Sequence, residues 1–226
     1  MYDGGIFVRV DTMHIPDGFL SASVCIGTGL VAAGGLAASV TRSQNKLGDQ
    51  TIPLMGITAA FVFAAQMINF PVAGGTSGHL LGGVLAAILL GPWAAALVIA
   101  LVLIVQCFLF QDGGLLVLGA NVFNMAIVGT LIPYLVYRAV GEVVPGKGGF
   151  FASAAIAAWS SVMLGAGACA IELGISGTIP LGLALKAMLG WHALIGLGEA
   201  AITTAVIGYV RAVRPDLITT RVEVAA

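Results

Sequence analysis

Side chains able to do chemistry are few in this 226-residue sequence, and they gather in three places. The first is Met13-His14-Ile15-Pro16-Asp17-Gly18-Phe19-Leu20, just ahead of a long apolar run. The second is the charge-free stretch 69–83, NFPVAGGTSGHLLGG, which carries Thr76, Ser77 and His79. Its glycines and proline oppose regular helix before about residue 77. The third is a scatter of ionisable groups inside apolar sequence: Glu172, His192 and Glu199, the last two seven positions apart and so on one helical face. Ionisable residues in such surroundings are functional candidates by default, because burying them is costly unless they are paired or used. His192 and Glu199 read either as a polar clasp between helices or as gating and supporting groups for a site. Cys25, Cys107 and Cys169 lie far apart with no CxxC and no metal-type spacing, and read as small buried hydrophobes. No GxxxxGK[ST] occurs, so the chain has no Walker cradle for a nucleotide phosphate.

The elements that must position these groups are membrane helices. Apolar residues make up 59% of the chain, charged residues 8%, and the mean hydropathy is +1.07. A soluble chain carries about 25% charged residues, so a water-soluble domain is excluded, and disorder with it. A net charge of −1 excludes a basic nucleic-acid binder. Apolar runs between breakers predict about seven transmembrane helices, at 21–40, 53–70, 77–90, 93–110, 121–140, 150–173 and 183–210. With the amino terminus outside, Arg42, Lys46, Arg138, Lys147, Arg211, Arg214 and Arg221 fall on the cytoplasmic side, and Arg9 and Lys186 outside. The positive-inside rule therefore favours N-out/C-in. Gly29, Ala33 and Ala37 form a small-residue strip on the first helix, suited to close packing within the chain or against a partner. Trp93, Trp159 and Trp191 read as interfacial or packing residues. The expected fold class is an all-α, polytopic membrane helical bundle.

The third run is too short to cross a bilayer. Residues 80–90 make about 16 Å of helix at 1.5 Å per residue, against a hydrocarbon core of about 30 Å. If Gly91-Pro92 lies near the inner surface, His79 stands at mid-membrane depth, at the top of a half-helix reached by a Gly-rich re-entrant loop. Interrupted helices of this kind are the usual pointer to a transporter binding site.

Four separated motifs carry a family resemblance: MHIPDGFL, GGTSGHLLGGVLAAILLGPW, the DGG…LGANVFNM segment from Asp112 to Met125, and WHALIGLGEAAIT from Trp191 to Thr203. Together they resemble the CbiM/NikM family, the substrate-binding subunits of energy-coupling-factor nickel/cobalt transporters, from Met13 to about Val210. The resemblance implies that Ni2+ or Co2+ is transported and is held by nitrogen donors. Those donors are the free amino group of a first Met, the next His through amide and imidazole nitrogens, and a His of the Gly-rich loop. Here the matching residues are Met13, His14 and His79. Such a set suits the later first-row dications and disfavours Mg2+ and Ca2+, which prefer several oxygens. Asp17, Gln66, Thr76, Ser77, Asn121 and Asn124 are candidates for orienting the imidazoles.

One departure is that Met13 is internal here, so its nitrogen is an amide. Either residues 1–12 come from an upstream start codon, or they are removed, or this member binds differently; because they lack a signal-peptide pattern, the first is preferred, and the expectation is that the mature chain begins at Met13. Residues 13–210 then form one transmembrane domain and 211–226 a cytoplasmic tail. The resemblance also implies partners: a transmembrane coupling subunit, two ATPase subunits that supply the energy, and a small accessory membrane subunit, in the plasma membrane of a prokaryote. The chain is then a transporter subunit and not an enzyme. Two other readings compete with this one. Gly75-Thr76-Ser77-Gly78 matches the GxSG of rhomboid-like intramembrane serine proteases, with Ser77 and His192 as the dyad, but the spacing from His192 to Gly196 is one residue too long and the Trp-Arg loop element is missing. A partner-independent metal channel is the third.

Overall fold

The computed structural model describes residues 14–44, 48–68, 70–72 and 76–218. It is a helical bundle. Helix α1 is Ala22–Ser43 and α2 is Thr51–Gln66. A short antiparallel hairpin follows, β1 Phe70–Val72 and β2 Thr76–Gly78, with Phe70 opposite Gly78. Then come α3 (Gly83–Leu90), α4 (Pro92–Phe110) and α5 (Leu118–Val122). Through a wider π-helical turn, Phe123–Val128, α5 continues into α6 (Gly129–Val143). Two long helices, α7 (Gly146–Ile175) and α8 (Leu181–Val213), complete the bundle.

Each apolar run of the sequence contains one helix, with α5, the π turn and α6 acting as one. The third run begins as strand β2 and becomes helix only at Gly83, so the half-helix is shorter than its apolar composition suggests. Among the described residues, five helices, counting 118–143 as one, are long and apolar enough to cross a membrane, and α2 is a shorter apolar helix. The bundle is apolar outside: Leu30 of α1 is 70% exposed, while Ser39 and Ser43 of the same helix are buried. Lipid, not water, is the solvent that such a surface suits. Buried Ser39 and Ser43 bond to carbonyls of their own helix, Gly35 O and Ser39 O, at 2.8 and 2.5 Å. The expected small-residue strip divides: Gly29 lies against Gly119 of α5, but Ala33 and Ala37 are exposed and Ala32 is the buried alanine. Small size alone leaves the phase of α1 undetermined by one residue.

Helix α3 is the centre of the molecule. Every residue from Gly83 to Leu90 is buried, with Val84, Leu85 and Ile88 packed in one cluster with Tyr137 of α6, Phe150 and Ala154 of α7 and Ile207 of α8. The close approach requires glycine at two places. Gly82, with φ +76°, caps α3 in the left-handed region, and a Cβ there would also meet Val62 at 2.8 Å. A Cβ on Gly83 would meet the Thr130 hydroxyl at 2.6 Å. Gly91, with φ +80°, ends α3, and Pro92 opens α4 at a position where its missing N–H costs nothing. Helices α7 and α8 run antiparallel along the far side: Gly174 lies against Leu181, Gly196 against Trp159 and Gly208 against Phe151.

Pro133 lies inside α6 and cannot donate to the carbonyl four residues back, Gly129 O. The Ser161 hydroxyl of α7 donates to that oxygen instead. A freed carbonyl in an apolar bundle is thereby satisfied from the neighbouring helix. Ser161→Ala should lower the thermal stability of the detergent-purified protein by about 1 kcal/mol. Adding Pro133→Ala to the same chain should recover most of it, because the alanine regains the N–H that reaches Gly129 O. A double variant no more stable than the single one would refute this pairing.

Candidate functional site

The segment that opens the described chain is tucked into the bundle. Ile15 is held as a strand partner would hold it, although its partner is a side chain. Ile15 N–H donates to Asn121 Oδ1 (3.1 Å) and Asn121 Nδ2 donates to Ile15 O (3.2 Å). Gly114 N–H adds a further bond to Ile15 O at 2.9 Å. The Asp17 carboxylate accepts from the N–H groups of Leu115 (3.1 Å) and Leu116 (2.8 Å). Further along, Ser21 N–H donates to Ser176 Oγ at 3.0 Å and the Thr178 hydroxyl donates to Phe19 O. Residues 19–21 are thus tied to the α7–α8 turn, with His14 lying deeper. Two glycines make room. A Cβ on Gly113, whose φ is +87°, would meet His14 Cβ at 2.9 Å, and one on Gly114 would run into the Asp17 carboxylate.

His79 follows β2 and precedes the turn into α3. That turn is gripped from two sides. Glu199 of α8 accepts from Leu81 N–H (2.7 Å) and Gly82 N–H (2.8 Å). A carboxylate just ahead of a helix's first turn is favoured by the helix dipole as well as by these bonds. Gln66 of α2 donates to Leu81 O at 2.9 Å, and Gln106 of α4 donates to Gln66 Oε1 at 2.9 Å. His79 Nδ1 lies 2.9 Å from Leu80 O. A carbonyl oxygen only accepts, so Nδ1 carries the proton and the ring's lone pair is on Nε2.

These two anchored segments bring His14 and His79 together. Both are buried, at 6% and 9% exposure, and their ring centroids are 5.0 Å apart with the planes tilted by 60°. His14 Nδ1 is 3.3 Å from Asp112 Oδ2, and His14 Nε2 is buried without a hydrogen-bond partner. Both rings line a cavity of about 90 Å³ that Asn121, Asn124, Met125, Cys169, Met188 and His192 also face. A larger cavity of about 250 Å³ lies at the other end of the bundle, near Arg42, Trp93 and Asp216, and has no histidine in its wall. Among the described residues no three His, Cys, Asp or Glu side chains are grouped to hold a metal.

The other residues singled out from the sequence have individual places. Met13 lies outside the described residues, as do residues 1–12, Lys46, Gly75 and Arg221. Thr76 and Ser77 belong to β2, opposite Val72 and Pro71. Asn124 lines the cavity from the π turn, and its Nδ2 donates to Glu172 Oε2 at 2.8 Å. Asp17, Gln66 and Asn121 act on backbone, fixing the two segments that carry the histidines. Glu199 is a clasp between α8 and the turn before α3, whereas His192 faces the cavity with Nδ1 2.7 Å from Met188 O of its own helix. Asp112, the residue against His14, is the one that sequence reading misses. Its signals are the Asp112-Gly113-Gly114 turn and its place at the head of the DGG…LGANVFNM motif.

The sequence model for the cobalt uptake substrate-specific transmembrane region, CbiM, matches residues 14–217. The protein of Archaeoglobus fulgidus named NikMN is 47% identical over 210 residues, covering 91% of this chain and 68% of that protein. The fused nickel transport protein NikMN of Rhodobacter capsulatus is 34% identical over 229 residues, 92% of this chain and 65% of that protein. A crystal structure of a truncated transition metal transporter superimposes with a TM-score of 0.82 at 34% identity, over 88% of this chain and 99% of that one.

Two substitutions test the anchoring. Glu199→Ala should speed amide hydrogen exchange at Leu81 and Gly82 by about tenfold or more, since each loses its acceptor. Gly113→Ala adds a Cβ at a left-handed φ and against His14, so proteolysis within 14–20 should become faster while α7 and α8 stay protected. Unchanged exchange and unchanged cleavage would mean that these contacts do not hold the two segments.

Proposed function

The chain belongs to the CbiM family of nickel and cobalt transport proteins, and from that membership we propose that it is the substrate-capture membrane subunit of an ATP-driven energy-coupling-factor importer of Ni2+ or Co2+. The observation that carries the reading is the pair of buried rings, His14 and His79, 5.0 Å apart at one cavity. The proposed ligand set is the amino group of Met13 at the start of the mature chain, the amide nitrogen and Nδ1 of His14, and Nε2 of His79. An amine and the next amide close one small chelate ring. That amide and Nδ1 of its own side chain close a second, which Nε2 is too distant to do. Four nitrogens of this kind suit Ni2+ well and other late first-row dications less selectively.

In this reading Asp112 has a definite task. It stands 3.3 Å from the ring nitrogen that must chelate, holds that edge of His14 in place before the ion arrives, and yields it when the ion binds. The donors must shed protons to ligate, so binding weakens as pH falls. Residues 1–12 are proposed to be absent from the mature chain. The chain is proposed to lie N-out/C-in in the plasma membrane of a prokaryote, with seven spans if α3 and the loop before it count as re-entrant. Energy then comes from partners: a transmembrane coupling subunit, two ATPases and a small accessory membrane subunit.

The test is titration with Ni2+ and Co2+ of protein beginning at Met13. His14→Ala and His79→Ala should each weaken binding by about 100-fold or more, since even removing an outer group of a metal site costs about 10–100-fold. Both variants should keep the wild-type melting behaviour. Residues added ahead of Met13 should be as damaging as either variant. Tight binding that survives His14→Ala or His79→Ala would overturn the ligand assignment, and recovery of residues 1–12 in the intact mass of native protein would overturn the proposed start.

A further inference from the structure

The chain contains three histidines, and all three line the same cavity. Two belong to the proposed ligand set and are buried; the third, His192, is only part-buried. It stands on α8, one turn beyond Met188, whose carbonyl lies 2.7 Å from His192 Nδ1. The carbonyl can only accept, so Nδ1 carries the proton and Nε2 carries the lone pair. His79 is set in the same tautomer by Leu80 O. A backbone carbonyl on one ring nitrogen is the usual device that fixes and activates the other as a metal donor. The bonds that tie α8 to the turn before α3 are made two helical turns further along by Glu199, while the Nδ1 contact of His192 stays within α8. The wall around His192 adds the thioethers of Met188 and Met125, soft donors that leave a late transition ion undisturbed and give Mg2+ or Ca2+ nothing to hold.

We propose that His192 is a capture ligand: a hydrated dication first exchanges water for His192 Nε2 and is then handed to the buried rings of His14 and His79. The inference rests on the ligand assignment made above. An imidazole engaged only in transit belongs to neither end state. It therefore lowers the barrier for loading and for release by the same factor and leaves the equilibrium affinity where it was.

The experiment is stopped-flow loading and chelator-driven release of Ni2+ on the mature chain, with His192→Leu and His192→Cys beside the unmodified protein. Leucine keeps an apolar volume without a donor, and cysteine restores one. His192→Leu should slow both loading and release by about tenfold or more, which corresponds to about 1.4 kcal/mol of barrier, with Kd unchanged. His192→Cys should recover most of both rates. Wild-type rates in His192→Leu, a Kd shifted because only one of the two rates changes, or a Cys variant as slow as the Leu variant would each overturn the capture role. A measurement on unmutated protein guards against misfolding. With the inner site filled by Ni2+, excess Co2+ should shift the 15N signal of His192 Nε2, and an unshifted signal would overturn the proposal. Failure of the underlying assignment looks different, because His14→Ala and His79→Ala would then bind Ni2+ normally at equilibrium whatever His192 does.

Discussion

The structure depends on one constraint: backbone that is not helical, once inside an apolar bundle, must find every hydrogen-bond partner within the protein. The turn carrying His79 meets it with side chains from three helices. Glu199 accepts both N–H groups at Leu81 and Gly82, and Gln66, itself positioned by Gln106, donates to Leu81 O. Without these partners an interrupted helix would either extend as regular helix or leave the bundle. With them, α3 begins at a fixed depth and His79 inherits that depth. The segment of His14 obeys the same rule, with Asn121 pairing both polar groups of Ile15 and Asp17 taking two N–H groups of the loop before α5.

Much of this was legible in the sequence because it followed from lengths and breakers. An apolar run ended by Gly91-Pro92 is too short to cross, and this alone placed His79 at the head of a half-helix. The meeting of His14 with His79 followed from a family resemblance carried by four motifs. The partners of the polar residues were not legible. Asn121, Gln66 and Asp17 were candidates for orienting imidazole rings, yet each of them bonds to backbone and Gln66 also to Gln106, since periodicity says which face a residue occupies and nothing about which atom it meets. Which small residue of α1 turns inward was hidden for a related reason: Ala32 and Ala33 are equally small, and packing against the cluster of Ile99, Leu103 and Val122 selects Ala32 for the interior, leaving Ala33 and Ala37 exposed. The π turn at Phe123–Val128, which brings Asn124 and Met125 to the cavity wall, has no signature in residue type.

The disposition of the carboxylates then bears on the chemistry of the cavity. Asp17 and Glu199 are each taken up by two backbone N–H groups, and Glu172 accepts from Asn124. Asp112 rests against a histidine nitrogen. The oxygens of Asp17 and Glu199 and one oxygen of Glu172 are therefore occupied in holding the scaffold, and the polar groups lining the cavity are imidazoles, amides, thioethers and the Cys169 thiol. If the cavity is the metal site proposed above, Mg2+ and Ca2+, abundant and oxygen-seeking, would find few carboxylates there, whereas a late transition ion would find nitrogen. Selectivity of this kind needs no close steric match to the cargo. In the proposed site it would arise because the bonds that satisfy the interrupted backbone also take up carboxylates that could otherwise compete, so one arrangement would both hold the histidines in place and disfavour the commoner ions.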